Sequence, residues 1–146
     1  MSESAPGVSS WNDRVTTQFK AGDLRIADRF DRSQLLLLHT KGARSGQPRT
    51  SPLAYLTIDG QMLVIASAAG RDTNPAWFFN IVANPRVTIE RWVDDAIETF
   101  EATATPAESD VRNRLWPKIT SIAPGFADYQ TKTSRVIPVV ILTPAI

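Results

Sequence analysis

The sequence contains no cysteine and only one histidine, His39, among its 146 residues. Without cysteine the chain can form no disulfide bond, thiolate nucleophile, or Cys-ligated zinc or iron–sulfur centre. His39 lies within the apolar run LLLLHT at 35–40, which is typical of a buried strand. A packed, hydrogen-bonded histidine is therefore favoured over a metal ligand or a catalytic base, and we predict no metal site.

Long apolar runs and a large net charge are also absent. No apolar segment reaches the about 18 residues that a membrane-spanning helix needs, and the N-terminus lacks a signal-peptide pattern. The net charge of +1 gives no reason to expect nucleic-acid binding. The length and the 42% of hydrophobic residues predict one cytoplasmic domain over residues 11–146, preceded by a disordered tail at 1–10.

The predicted elements indicate an α+β protein with about six strands, mostly antiparallel, and three or four helices. Strands are expected at residues 34–40, 49–58, 61–67, 86–92, 96–103 and 135–142. Pro52 indicates that the second strand lies at a sheet edge or contains a bulge, and residues 59–60 predict a hairpin turn. Hairpins separated by short helices favour a small, incompletely closed β-barrel over a doubly wound parallel sheet.

Three helices are predicted from their caps. The first extends from Ser10 to Gly22, and the second covers residues 74–84 with Thr73 or Asn74 as its cap. A capping box at 105–108 is expected to open the third, which continues to about residue 119.

Residues 40–53, TKGARSGQPRTSPL, place Lys41, Arg44 and Arg49 on a short loop between two apolar runs. No Asp or Glu lies between Arg32 and Ile58. Arginine offers paired donors to phosphate or carboxylate, and exposed N–H groups of the two loop glycines, Gly42 and Gly46, would add to them. The loop is predicted to hold an anion; a solvated hairpin loop is the alternative.

Two aromatic segments could contact a flat ligand. In NPAWFFNIVAN at 74–84, the spacing of Trp77, Phe78 and Ile81 by itself favours a core face. The alternative is a helix that also walls a ligand, with Asn80 as a polar contact, next to a loop of small residues at 66–70 that a ring can approach closely. The second segment carries Phe126 and Tyr129 on a predicted loop or short helical turn. It forms either a lid over a ligand or a small cluster of side chains packed beside the main core.

Taken together and in this order, these segments resemble the deazaflavin (coenzyme F420)-dependent nitroreductase and quinone-reductase family over residues 35–144. The motifs that carry the resemblance are GARSGQPR at 42–49, SPL at 51–53, IAS at 65–67, NPAWFFN at 74–80, ANP at 83–85, WP at 116–117, DYQ at 128–130 and IPVV at 137–140. The resemblance implies a flavin-reductase-like split β-barrel, an actinobacterial source, and hydride transfer from reduced F420 to a quinone, nitro compound or activated enone. A homodimer is a further implication.

The resemblance also implies which residues meet the cofactor and the substrate. Arg44 and Arg49 match basic residues that hold the phosphate and the acidic tail. Ser67 matches a serine beside the reactive part of the ring, and Tyr129 matches an aromatic residue at the substrate mouth; these two are the expected catalytic residues. The full set expected to bind the cofactor is Ala43, Arg44, Ser45, Arg49, Thr50, Ser51, Pro52, Leu53, Ala54, Ile65, Ala66, Ser67, Ala68, Ala76, Trp77, Phe78, Phe79 and Asn80.

Two alternatives stay open beside F420 chemistry. An FMN-dependent reductase or oxidase could use the same barrel, because FMN also carries a phosphate. A non-catalytic barrel could bind a flavin or a lipid. The tail carboxylates of F420 make several cations useful, which favours F420 over FMN.

Overall fold

The structure, a computed structural model, describes residues 6–145 as four helices, nine strands and two 3-10 turns. The helices are α1 (Pro6–Ala21), α2 (Ala76–Ala83), α3 (Ser109–Ile122) and α4 (Gly125–Thr131). The strands are β1 (Arg25–Ile26), β2 (Phe30–Asp31), β3 (Leu35–Lys41), β4 (Pro48–Ala54), β5 (Leu56–Ile58), β6 (Gln61–Ile65), β7 (Arg86–Val93), β8 (Ala96–Pro106) and β9 (Val139–Pro144). No helix in this part of the chain is long and apolar enough to span a membrane.

Seven strands form one antiparallel sheet in the order β4-β3-β7-β8-β9-β6-β5. Only Tyr55 separates the two edge strands, β4 and β5, along the chain, and its N–H donates to the carbonyl oxygen of Gln34 (3.1 Å). Because one residue spans at most about 3.6 Å, the two edges must meet there. The sheet therefore curls into an incompletely closed barrel, which confirms the predicted α+β split barrel.

The run of four leucines in β3 is buried on both faces of the sheet. Leu36 and Leu38 belong to the inner cluster, to which β6, β7, β8 and β9 also contribute and which Trp77 of α2 helps to close. Leu35 and Leu37 point to the outer face, where α1 covers them. Alternation of side chains along a strand explains why an uninterrupted apolar run is needed here.

The other end of the outer face is covered by α3 and α4. Leu115 and Ile119 of α3 pack against Leu63 and Ile65 of β6 and against Val139 of β9. The loop that follows β6 thus lies between the inner cluster and the two C-terminal helices.

Several predicted elements are confirmed, and one strand is divided. Pro52 lies on an edge strand, and the 59–60 turn has positive φ angles of 53° at Asp59 and 78° at Gly60. The single strand predicted at 49–58 is wrong, because the chain crosses at Tyr55 from one sheet edge to the other. With the short pair β1 and β2, this division raises the count from six strands to nine.

The predicted helix caps are wrong. Helix α2 begins after Pro75, because Oδ1 of Asn74 accepts a hydrogen bond from Arg135 (2.7 Å) instead of capping the helix. Thr105 continues β8 opposite Ile141, so α3 begins only at Ser109 and has no side-chain cap.

Both ends of the chain also differ from the prediction. The last strand begins at Val139 rather than at 135, because Arg135 bonds the loop after β6 and the backbone of Ile137 bonds side chains of α3 and α4. Helix α1 begins at Pro6 rather than after Ser10, so residues 6–10 of the expected tail are helical. Residues 1–5 of that tail lie outside the described residues.

Candidate functional site

The cationic loop between β3 and β4 is closed by its own hydrogen bonds. Gly42 N–H donates to the carbonyl oxygen of Gln47 (2.8 Å), and Gly46 N–H donates to that of Gly42 (2.9 Å). Gln47 N–H donates to Oγ of Ser45 (3.1 Å). The expectation that the two glycine N–H groups are exposed to an anion is therefore wrong. The side chains of Arg44 and Arg49 remain as the candidate anion-binding groups of this loop, because Lys41, paired with Pro48, shares the outer face of the sheet with His39.

Asn80 ties this loop to helix α2. Its side chain is 3% exposed, its Oδ1 accepts from Ala43 N–H (2.9 Å), and its Nδ2 donates to Oγ1 of Thr40 (3.2 Å). Thr40 is also buried. The oxygen and the nitrogen of the Asn80 side chain are both hydrogen-bonded to the protein. Asn80 therefore sets the position of the loop relative to the helix.

We expect Asn80→Ala to lower the free energy of unfolding by about 1–3 kcal/mol, because Ala43 N–H and the Thr40 hydroxyl lose a partner in a buried place. Urea denaturation measures the change. Asn113→Ala, at an exposed position of α3, is the control and should change stability by less than about 0.5 kcal/mol. Equal stability of the two variants would contradict a positioning role for Asn80.

The residues of β4 that are predicted to bind the cofactor lie on two different faces of the strand. Its pairing with β3 places Arg49 opposite Thr40 and Leu53 opposite Leu36, on the side of α2 and the inner cluster. By alternation Arg49, Ser51 and Leu53 share that face, whereas Thr50, Pro52 and Ala54 point the other way. Only the first three side chains can meet a ligand beside α2.

His39 has hydrogen-bond partners at both ring nitrogens. Nδ1 is hydrogen-bonded to Oγ1 of Thr50 (2.9 Å), and Nε2 to the carboxylate of Glu90. The prediction of a hydrogen-bonded strand histidine is confirmed. Across residues 6–145, no group of three or more His, Asp or Glu side chains is placed to hold a metal ion.

The second predicted segment follows β6 and has an unusual backbone. Ala66 is fully buried in the inner cluster, and the half-buried Ser67 begins the 3-10 turn Ala68–Gly70 without capping it through its side chain. Ala68 and Ala69 have φ angles of 47° and 54°. Non-glycine residues in this left-handed region cost on the order of 1–2 kcal/mol each, and such strain is often found at functional sites.

Arg135 holds this loop and is absent from the predicted set. Its Nη1 donates to the Ala66 carbonyl (3.1 Å) and to Asn74 Oδ1 (2.7 Å), its Nη2 to the Ser67 carbonyl (2.8 Å), and its Nε to the Arg71 carbonyl (2.8 Å). Burial lowers the pKa of Arg135 from its ordinary value, and the carboxylate of Asp72 opposes the shift. These partners lie 61–69 residues away along the chain, so no local sequence pattern could have found them.

The aromatic residues divide between core and margin. Trp77 is 6% exposed and Ile81 is 1% exposed, which confirms the core face of α2. Phe78 and Leu53 lie at the margin of the same cluster, and Phe79 is 52% exposed. The inner cluster thus brings together residues from three predicted segments: Leu53, Ala66, Trp77 and Phe78.

Tyr129 lies on α4, beside the turn that follows Ser67. Its ring centroid is 6.2 Å from that of Phe126, and both rings pack on the cluster beneath α3 and α4. A Cβ atom added at Gly70 would lie 2.8 Å from the Tyr129 carbonyl oxygen. The two expected catalytic residues are therefore on elements in direct contact.

A cavity of about 270 Å³ lies elsewhere, between α1 and the β1–β2 turn. It is lined by Trp11, Arg14, Val15, Gln18, Ala27 and Asp28. None of the predicted site residues lines it, so it is separate from the candidate site around α2.

Comparison with known proteins relates this sequence to one family. The family model described as F420H(2)-dependent quinone reductase matches residues 11–144. An F420H(2)-dependent quinone reductase of Mycobacterium tuberculosis strain H37Rv is 40% identical over 111 residues, covering 74% of this chain and 72% of that protein.

Solved structures show the same fold. A structure described as F420-H2 dependent reductase (FDR-A) has a TM-score of 0.62 and 36% identity, covering 75% of this chain and 93% of that one. A structure described as a domain-swapped dimer has a TM-score of 0.65 and 32% identity, covering 92% and 98%. The heme storage protein HutZ of Vibrio cholerae, 17% identical with a TM-score of 0.60 over 91% of this chain and 92% of that one, shares the fold alone.

Proposed function

This chain belongs to the F420H2-dependent quinone reductase family, and from that premise we propose that it transfers a hydride from reduced F420 to a small quinone. It is an oxidoreductase, and coenzyme F420 is its cofactor. The observation that carries the proposal is the meeting of two segments on helix α2. The basic loop is tied to it through Asn80, and the small-residue segment packs on it through Ala66 and Trp77.

The residues at the two ends of this site fit such a cofactor. F420 carries a phosphate and tail carboxylates, and the side chains of Arg44 and Arg49 provide the cations that would hold them. At the other end, the partly exposed side chains of Leu53 and Phe78 provide apolar surface at the margin of the inner cluster, next to the fully buried Ala66. Bound F420H2 would supply the hydride, and the protein would align the donor and acceptor and exclude water.

Ser67 and Tyr129 are proposed to act on the acceptor. The Ser67 hydroxyl would donate a hydrogen bond to the quinone oxygen as negative charge builds on it. This bond would be stronger in the transition state than with the bound substrate, so it would lower the activation barrier. The Tyr129 ring would pack against the acceptor, and its hydroxyl would relay a proton from solvent to the reduced oxygen.

The test of this function compares two cofactors and then measures turnover. Purified protein is titrated with F420 and with FMN, and oxidation of F420H2 by menadione is followed by absorbance. We expect F420 binding and quinone-dependent oxidation. Micromolar FMN binding without F420 binding would contradict the assignment, and F420 binding without turnover would indicate a carrier.

We expect Arg49→Ala to weaken F420 binding by about 1.5–3 kcal/mol, the size of a charged hydrogen bond. The loss should shrink at high salt, because added ions already weaken the wild-type contact. Fluorescence titration at low and high salt measures it, with Arg114→Ala on the exposed face of α3 as the control. Wild-type affinity at low salt would favour the solvated-hairpin interpretation.

We also propose that the protein is a homodimer. The support is the relative described as a domain-swapped dimer, which is 32% identical and matches over 98% of its length. We expect sedimentation equilibrium to give twice the chain mass of 16.1 kDa. A single species at the chain mass would contradict this proposal and leave the catalytic one unaffected.

A further inference from the structure

We propose that Arg135 is the positioning residue of the loop at 66–74 and holds Ser67 in its working place relative to Tyr129. The inference rests on the proposed function, because it gives these two residues their roles in hydride transfer. Arg135 itself does not act on the acceptor in this proposal.

One guanidinium group binds four acceptors of the loop. It donates to the carbonyl oxygens of Ala66, Ser67 and Arg71 and to Oδ1 of Asn74, at distances of 2.7–3.1 Å. The planar guanidinium presents its donors in a fixed fork, so it constrains the direction of the backbone as well as its distance. Lysine has the charge but lacks this geometry.

The loop needs such a constraint because its backbone is strained. Ala68 and Ala69 adopt positive φ angles between Ser67 and Gly70. Strained residues persist only where the surrounding structure over-determines their conformation. Arg135 binds the carbonyl groups on both sides of this strained stretch, at Ser67 and at Arg71.

Arg135 is in turn fixed by the residue that follows Tyr129. Gln130 Nε2 donates to the Arg135 carbonyl (2.7 Å), and Gln130 Oε1 accepts from Ile137 N–H (3.0 Å) and from Nη2 of Arg112 (3.1 Å). Nε of Arg112 donates to the Ile137 carbonyl (3.1 Å). A continuous set of hydrogen bonds therefore joins α3, α4 and the Ser67 loop.

The experiment compares Arg135→Gln and Arg135→Lys with Arg32→Gln. Arg32 is the matched control because it also donates to backbone carbonyls, those of Gly22 and Asp94 (both 3.1 Å), and stacks on Trp92, but on the α1 side of the sheet. The three readouts are hydrogen exchange of the 66–74 peptide, F420 affinity, and the single-turnover rate constant with saturating F420H2 and menadione.

We expect both Arg135 variants to raise amide exchange in residues 66–74 and to lower the rate constant about 10–100-fold, the scale of a misplaced reacting group. F420 affinity should change much less than the rate constant, because the side chains proposed to hold the anion lie on another loop. Arg32→Gln should leave the rate constant and the exchange of this peptide at wild-type values.

Several outcomes would overturn the proposal. They are unchanged exchange at 66–74, a wild-type rate constant despite faster exchange, full function of Arg135→Lys, and an equal loss of rate in Arg32→Gln. Absence of F420 binding in the wild-type protein would instead refute the proposed function. The exchange experiment alone would then decide whether Arg135 holds the loop.

Discussion

Ser67→Ala is expected to slow hydride transfer from bound F420H2 by about 10–1000-fold, with a much smaller change in F420 affinity. Ser67 is half-buried at the start of a turn of small residues, and its side chain does not cap that turn. Its carbonyl oxygen, not its hydroxyl, is held by Arg135. Removing the hydroxyl should therefore delete the proposed hydrogen bond to the acceptor while the loop keeps its anchor.

Stopped-flow oxidation of bound F420H2 by menadione measures this rate, and Ser121→Ala on the exposed side of α3 is the control. Two Tyr129 variants complete the comparison. Tyr129→Phe keeps the ring that packs beside Phe126, so it tests the hydroxyl alone, whereas Tyr129→Ala should raise the KM of the acceptor. If Ser67→Ala reacted at the wild-type rate and Tyr129→Ala abolished F420 binding, the two roles would be reversed.

Gly70→Ala is expected to lower the free energy of unfolding by about 2–4 kcal/mol, from a strained φ angle and a steric clash together. Gly70 has a φ of +80°, and its added Cβ would meet the Tyr129 carbonyl oxygen at 2.8 Å and Cβ of Lys132 at 2.9 Å. The two clashes are with Tyr129 of α4 and with Lys132, the residue that follows α4, so the substitution should also move Tyr129 away from the Ser67 loop.

Gly60→Ala is the matched control for this substitution. Gly60 has nearly the same φ, +78°, but no neighbouring atom lies within 4 Å of its added Cβ. Gly60→Ala should lower the free energy of unfolding by about 1–2 kcal/mol, the cost of the backbone conformation alone. Urea denaturation measures the loss of stability in both variants, and the difference between the two losses is due to the contact between the turn and α4. Equal losses would show that α4 moves to admit the added methyl group without destabilising the protein.

Elements that arise from local interactions can be predicted from the amino-acid sequence. The four leucines of β3, the turn at 59–60 and the edge position of Pro52 depend on side-chain alternation or on the backbone preference of one or two residues. The ordered motifs identify the family, because together they match its sequence over most of the chain. The hairpin of β7 and β8 was found for the same local reason, with its ends misplaced by a few residues.

Which residues meet around α2, and how they are held there, depends on contacts between distant parts of the chain. Tyr55 divides one predicted strand because the barrel closes there, and closure is a property of the whole sheet. Thr50 points away from α2 while Arg49 points toward it, because pairing with β3 sets the register. The N–H groups of Gly42 and Gly46 are used inside their own loop, which the spacing of the residues could not show.

The anchoring residues depend most on long-range contacts. The sequence predicts a ligand contact for Asn80, yet its amide binds Ala43 and Thr40, which lie 37 and 40 residues earlier in the chain. Arg135 was not expected at all, although it binds four acceptors across the Ser67 loop. A side chain that serves distant backbone groups leaves no periodic or local pattern in the sequence, so only the folded chain reveals it.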